Sequence, residues 1–339
     1  MKRKIGILFA YLVIVFFVFF PETVCQGAKT GLLLWFQTVL PALLPFMIVS
    51  GFFVKKNITD SINKMAAPFF TEMFHISRPA SYPALIGMLS GYPIGAKTVA
   101  QMYEEKQLDK AEAQYLLCFC NNASPMFLIE FIGVECMHLS FPITVLVLIY
   151  TAGYLGSLIE RHTMKKRSIK NAIPRHNNDG KQKKQKESPS LVEALDECIL
   201  DSFVTITKVG GYIILFSIFA KIVADWLPFS AIIKWIMIGL LEITTGASMI
   251  AHAPLAECIK DAALVSLCAF GGFSGAAQTA SVISNTDLSV RRYLYVKFRQ
   301  AVIAGILALM KMVRTQRALK KTQITRNFLN EKNVRENSF

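Results

Sequence analysis

Long apolar runs, separated by short clusters of charge, set the pattern of this chain. A helix needs about 20 residues to cross a hydrocarbon core ~30 Å thick. Apolar segments of that order lie at roughly 5–24, 30–54, 83–103, 113–136, 139–159, 202–226, 229–251, 262–286 and 295–313. The last is the weakest, because its uninterrupted core runs only from Ala301 to Met310 before Lys311. Between the second and third, Ile58, Ile62, Met65, Phe69, Met73 and Ile76 recur every three or four residues opposite Lys56, Asn63 and Lys64. That period predicts an amphipathic helix across Lys55–Pro79, lying at the interface. The expected fold class is all-α, a polytopic membrane protein.

Charge gives the expected topology. Lys2–Lys4, the group Lys55, Lys56, Lys64 and Arg78, and the linker 161–190 should all face the cytoplasm under the positive-inside rule. Segments 5–24 and 30–54 cross and return, which satisfies the first two groups. Three further segments precede the linker, and three crossings would place it outside. One of 83–103 and 113–136 must therefore enter and leave on the same side, as a re-entrant hairpin. Both carry breaks: Gly91, Pro93 and Gly95 in one, Asn121-Asn122-Ala123-Ser124-Pro125 in the other. The end of the chain does not balance in the same way, since Arg291/Arg292 and the basic tail cannot both be inside if the final segment crosses.

Internal similarity sharpens this. Ser90-Gly91-Tyr92-Pro93-Ile94-Gly95-Ala96-Lys97-Thr98 aligns without a gap to Gly271-Gly272-Phe273-Ser274-Gly275-Ala276-Ala277-Gln278-Thr279. Broken helices within a bilayer persist only where protein buries them or where they line a cavity. Interrupted segments at matching places in two halves mark a transporter site, and opposite directions of 30–54 and 202–226 are those of an inverted repeat. The expected organisation is an N-terminal membrane helix (1–29), a first transport half (30–160), a basic cytoplasmic linker (161–190), a second half (191–313) and a basic polar tail (314–339). Lys2-Arg3-Lys4 before Ile5–Phe20 also has the form of a signal peptide, but no small-x-small cleavage site follows, so a retained helix is expected.

Composition narrows the function classes. At 53% hydrophobic residues the chain is no ordinary soluble domain. Its net charge of +14 sits mainly in the linker and tail, so no nucleic-acid partner is expected. Seven cysteines and five histidines are scattered without a CxxC pair, so neither a metal nor a cofactor is expected. No catalytic triad, P-loop or paired-carboxylate site is present, and the chain is not expected to be an enzyme.

The candidate chemistry lies inside the apolar segments. Lys97 is costly there and should face a cavity or partner. It would attract an anionic substrate, or else snorkel or pair with Glu104 or Glu105. Asn121, Asn122 and Ser124 offer hydrogen bonds beside Pro125, where a new half-helix would present free N–H groups. Polar contacts in a solvent-wetted loop are the alternative. Gln278 matches Lys97 in the aligned motif. Glu242 would bind a coupling proton or cation, or tie helices together through Lys208 or Lys234. Glu130 and Glu135 are weaker versions of it. Gly91, Pro93, Gly95, Pro125, Gly271 and Gly272 are the helix-break positions, and Gly210-Gly211 should serve close packing.

With these residues in view, the chain resembles the YlbJ-type sporulation integral membrane proteins within the nucleoside-recognition (Gate) superfamily. The motifs that carry the resemblance are Phe36-Gln37-Thr38-Val39-Leu40-Pro41-Ala42-Leu43-Leu44-Pro45-Phe46, Ser90–Lys97, Cys118–Phe127, Leu241–Gly246 and Phe270–Ser274. The resemblance departs at Glu130, where a small or apolar residue is expected, and at the short terminal segment. It implies a role in endospore formation, with dipicolinate moved across the outer forespore membrane. A small aromatic dianion would meet Lys97 and the helix N-termini, with Asn121, Asn122, Ser124 and Gln278 as hydrogen-bonding partners. The competing expectation is a non-transporting scaffold that holds other spore-envelope proteins; a membrane enzyme acting on lipid-linked precursors is a third class.

Overall fold

The computed structural model describes residues 2–56, 59–168 and 190–311. All regular structure among these residues is helical. Most of the basic linker (169–189) and the tail beyond Lys311 lie outside the described residues, as do Asn57 and Ile58 of the amphipathic stripe.

Helix α1 (Lys2–Phe19) meets α2 (Pro21–Leu34) at a bend of 104°. Pro21 takes the first turn of α2, where its missing N–H costs nothing. A π-helical turn at Trp35–Val39 leads into α3 (Leu40–Lys55). One continuous helix therefore replaces the separate start expected at residue 30. Glycine spacing explains how α2 packs on α9 (Leu191–Trp226). A Cβ on Gly27 or Gly31 would stand 2.8 Å from the Cα of Ile218 or Ile214, so the Gly27-x-x-x-Gly31 face brings two backbones into contact. One turn on, Trp35 donates its indole N–H to the Ile206 carbonyl at 3.0 Å and lies over Gly210.

Helix α4 (Thr59–Phe74) is the expected amphipathic element, but its inward stripe differs from the expected one. Ala66, Phe70 and Phe74 are buried, whereas Met65 and Phe69 are exposed. Phe74 stacks on Phe119 with ring centroids 4.4 Å apart. Of the expected stripe, Met65 and Phe69 face outward, while Met73 and Ile76 pack on the core.

The next two helices settle which segment folds back. Helices α5 (Ser81–Ser90) and α6 (Ile94–Glu104) are only 10 and 11 residues long, too short to cross. Gly91 ends α5 at φ 78°, a conformation open to glycine. The arms then close together, with Gly87 against Gly95 and the Cys120 carbonyl lying on both. Gly95 thus serves packing within α6 and is not part of the break. Helix α7 (Lys110–Phe119) stops at an irregular stretch before a π-helical segment, Phe127–Cys136, and α8 (Ile143–Ser168) follows. Helix α8 continues into what was expected to be linker.

The second half contains a hairpin that the sequence pattern presents as a crossing. Helices α10 (Ala231–Leu241) and α11 (Ile243–Ala251) have 11 and 9 residues, and a Cβ on Gly246 would fall 2.1 Å from the Cα of Gly239. The chain folds back at Glu242. Helices α12 (Glu257–Phe270) and α13 (Gly272–Val282) form one span broken at Gly271 and Gly272, whose φ values are 85° and 68°. The last helix, α14 (Val290–Lys311), is 22 residues long.

Four helices are long and apolar enough to cross a bilayer, or up to five if the bent N-terminal pair is one span. Val290–Lys311 is among them, which corrects the expectation of a short final segment. Its charges do not break it because they turn inward: Arg292 and Arg299 both reach the buried Glu160 of α8, at 2.6 and 3.1 Å.

The order hairpin, broken helix, long helix thus occurs twice. The two hairpins enter from opposite ends of the α12–α13 span. The base of α5/α6 is joined through Tyr103 to Asp287, just past α13, while the base of α11 leads by a short turn into α12.

Candidate functional site

The two hairpin tips and the two helix breaks converge on one pocket. From the α5/α6 tip comes Tyr92, and from the first break Ser124. Glu242 and Thr244 come from the α10/α11 tip, and Ser274 and Gln278 from α13. Apolar walls are supplied by Val39 and Leu43 and by Val209 and Ile213 of α9. Such a mixture, mostly apolar with a few convergent polar groups, is characteristic of a small-solute site. None of the lining residues is exposed.

The two aligned glycine motifs do meet, though not as equivalents. Tyr92 places its ring over Gly275 and Gly271, with Cε2 3.1 Å from where a Gly275 Cβ would stand. Its backbone N–H donates to the Asn122 carbonyl at 2.7 Å. A Cβ on Gly91 would lie 2.6 Å from the Ser124 nitrogen, so only glycine lets this tip seat on the first break. Lys97, however, lies on the outgoing arm of a hairpin, and Gln278 lies in the second piece of a broken span.

Glu242 is 2% exposed and caps α11. Its Oε2 accepts from the Thr245 N–H at 2.7 Å and its Oε1 from the Thr244 hydroxyl at 3.1 Å. Among the described residues it does not pair with Lys208 or Lys234; Lys234 instead donates to the Ala224 carbonyl. Gln278 donates Nε2 to the Ser274 hydroxyl at 3.3 Å, and its buried Oε1 has no partner. That orphaned acceptor belongs to a residue lining the chamber. Ser124 accepts from the Phe127 N–H at 3.3 Å and so caps the half-helix beyond Pro125, as its sequence position suggested. At the start of α13 the first N–H groups have no intrahelical acceptors and lie beside Ser274 and Gly275 in the wall.

The structure does not bring the other expected residues to this chamber. Asn121 is fully buried: its Oδ1 accepts from the Ala96 N–H at 3.3 Å, and its Nδ2 donates to the Thr279 and Tyr293 hydroxyls at 2.8 and 3.1 Å. Asn122 donates to the Phe119 carbonyl at 2.7 Å and accepts from Lys297 at 2.5 Å. Both hold the first break to α13 and α14. Lys97 donates Nζ to the Thr205 hydroxyl at 3.0 Å and lines a separate chamber. No lysine, arginine or histidine lines the central chamber among the described residues. Glu130 and Glu135 are exposed on the π-helical segment.

Sequence reasoning missed Lys297, which is 1% exposed. Its signal was present: Lys297, Gln300, Ala304 and Ala308 form one helical stripe, and all four are buried. The charge passed instead for the end of the span. Tyr92, Thr244 and Ser274 stood in the motifs without a role.

Comparison with known proteins agrees with a membrane-embedded chain. The chain is 26% identical over 325 residues to the sporulation integral membrane protein YlbJ of Bacillus subtilis (strain 168), an alignment that covers 86% of this chain and 78% of that protein. No family model matches the chain, and no solved structure matches it. The relative and the apolar helices together support an integral membrane protein with a role in sporulation.

Proposed function

From the YlbJ-type assignment that this similarity supports, we propose that the chain moves a small organic anion, dipicolinate first among candidates, across the outer forespore membrane. The observation that carries the reading is the convergence of two hairpin tips and two helix breaks on one pocket. Opposed hairpins give such a chamber two separate doors, which alternating access requires. The N-terminus of α13 offers N–H groups to a carboxylate, and Tyr92 and Phe127 offer ring faces to an aromatic solute.

Glu242 in the same wall sets the terms of binding. A carboxylate beside an anionic solute raises the energy of both, so the chamber loads the anion together with a proton on Glu242. By linkage each then favours the other. This assigns Glu242 the coupling role; the reading contains no catalytic step and no cofactor.

Uptake of labelled dipicolinate into liposomes holding the purified protein tests the proposal, with empty liposomes as control and an imposed proton gradient in either direction. Uptake that follows the gradient is the expected result. Absence of uptake by well-folded protein under both gradients would overturn the transporter reading and favour the envelope scaffold.

A further inference from the structure

The polar groups of the central chamber are rich in oxygen and poor in positive charge. Glu242 is the carboxylate among them, and the Thr244 and Ser274 hydroxyls and the Gln278 amide share its wall. Among the described residues, the Glu242 oxygens accept from their own hairpin tip, from the Thr245 N–H and the Thr244 hydroxyl. Neither donor carries a charge, and no lysine, arginine or histidine lines the chamber among the described residues. A carboxylate buried to 2% exposure calls for a positive partner or a proton.

Gln278 is the second, independent observation. It is 4% exposed, and its Nε2 donates to the Ser274 hydroxyl at 3.3 Å. Its Oε1 is buried and has no partner among the described residues. An amide oxygen in that position is left for a donor or a cation to complete.

The helix ends around Glu242 add partial negative charge. Helix α10 stops at Leu241, directly before Glu242, and α12 stops at Phe270, at the second break. The two ends meet, since the Leu240 carbonyl oxygen lies 3.5 Å from where a Gly272 Cβ would stand. Each end leaves its last carbonyls without intrahelical donors and carries the negative pole of the helix dipole. Carbonyl ends of broken helices are suited to a cation in the way that N-termini are suited to an anion.

We propose that the central chamber binds a monovalent metal cation between the Glu242 carboxylate and the Gln278 amide oxygen, with the Thr244 and Ser274 hydroxyls as further oxygen ligands. Hard cations take carboxylate, carbonyl and hydroxyl oxygens. One carboxylate matches one positive charge, and no cluster of three or more His, Cys, Asp or Glu suited to a metal lies among the described residues. The cation meets the same electrostatic demand as a proton on Glu242, so the two replace one another there. Its remaining face then receives a carboxylate of the solute. The site stands on its own geometry; its purpose, coupling a cation to the solute, rests on the transport reading above.

Binding of radiolabelled sodium and of a radioactive potassium analogue to the purified protein in detergent tests the site, with no solute present and N-methylglucamine chloride holding ionic strength constant. Saturable binding of one of the two ions is expected, one per chain. Glu242→Gln, which keeps an acceptor for the Thr245 N–H, should weaken it about tenfold or more, and Gln278→Leu should weaken it severalfold. Glu130→Gln, on the exposed π-helical segment, should leave it unchanged. Absence of saturable binding of either ion, or binding undiminished in Glu242→Gln or in Gln278→Leu, would overturn the site. The wild-type titration and Gln278→Leu decide the matter even if Glu242→Gln does not fold. Dipicolinate should tighten cation binding, and the cation should tighten dipicolinate binding by the same factor. Cation binding in a protein that takes up no dipicolinate would remove the transport reading and leave the cation site. Dipicolinate uptake without cation binding would do the reverse.

Discussion

The two broken segments carry similar polar residues and bond them differently. At the first, Asn121 and Asn122 are hydrogen-bonded on both amide atoms, to α6, α7, α13 and α14. Neither lines the central chamber. At the second, Gln278 makes one long hydrogen bond and keeps a buried oxygen without a partner, in the chamber wall. A buried polar group left unpaired costs about 1–3 kcal/mol, and of the buried side-chain atoms without a partner among the described residues, the Gln278 oxygen is the one that belongs to the chamber lining. Asn121 and Asn122, with their hydrogen bonds made inside the protein, hold helices in place, whereas the Gln278 acceptor is the group that the transport reading proposed above would offer to a solute.

The largest effects should come from disturbing the first break. Asn122→Leu would leave the Lys297 ammonium buried without its acceptor. We expect a loss of about 3 kcal/mol in folding stability, from the worth of a hydrogen bond to a charged group plus the penalty of an unpaired one. Thermal unfolding in detergent measures it. The double variant Asn122→Leu/Lys297→Met removes charge and acceptor together and should recover most of the loss, because an apolar pair of similar volume often replaces a buried polar one without cost. If the single variant were as stable as the wild-type protein but inactive, the first break would belong to the solute site after all.

The second break predicts the reverse pattern. Gln278→Leu removes an unsatisfied acceptor, so stability should change by less than about 1 kcal/mol. Uptake should nevertheless fall at least tenfold through KM, the mark of lost solute binding. Glu242→Gln keeps an acceptor for the Thr245 N–H and hence the α11 cap. It should reduce uptake severalfold under an imposed gradient and flatten its dependence on pH, while leaving gradient-free exchange in place. Uptake in Glu242→Gln that still followed the gradient would return Glu242 to a purely structural role.

These contrasts mark what the sequence could and could not disclose. Charge parity located a re-entrant segment between 83 and 136, because positively charged loops must stay on one side. The α10/α11 hairpin escaped, since a fold-back within a continuous apolar run leaves hydropathy unchanged; only Gly239, Gly246 and Glu242 mark it. Asn121 and Gln278 looked alike as polar residues in apolar surroundings. Their difference lies in partners from α13 and α14, far along the chain, and no local pattern encodes those. Lys297 and Arg299 read as the edge of a span for the same reason: Glu160 and Asn122, which accommodate their charge, are remote in sequence. The Gly27/Gly31 spacing was legible as a packing motif and simply went unused.

The smallest effect should come from the clasp that joins the outer ends of α6, α7 and α13. Lys110, at the start of the helix leading to the first break, contacts Asp287, just past the helix that leaves the second, at 2.6 Å; Tyr103 donates to the same carboxylate at 2.8 Å. The Lys110 ammonium, then the Tyr103 hydroxyl, hold the Asp287 carboxyl below its ordinary range. A depressed carboxylate pKa contributes stability above the unfolded value, and that contribution is lost as pH falls through the folded one. Both Lys110 and Asp287 are largely exposed, so the effect is small and screened by salt. Asp287→Asn should therefore lower the unfolding temperature slightly at neutral pH, with the difference from wild type vanishing in acid and in high salt.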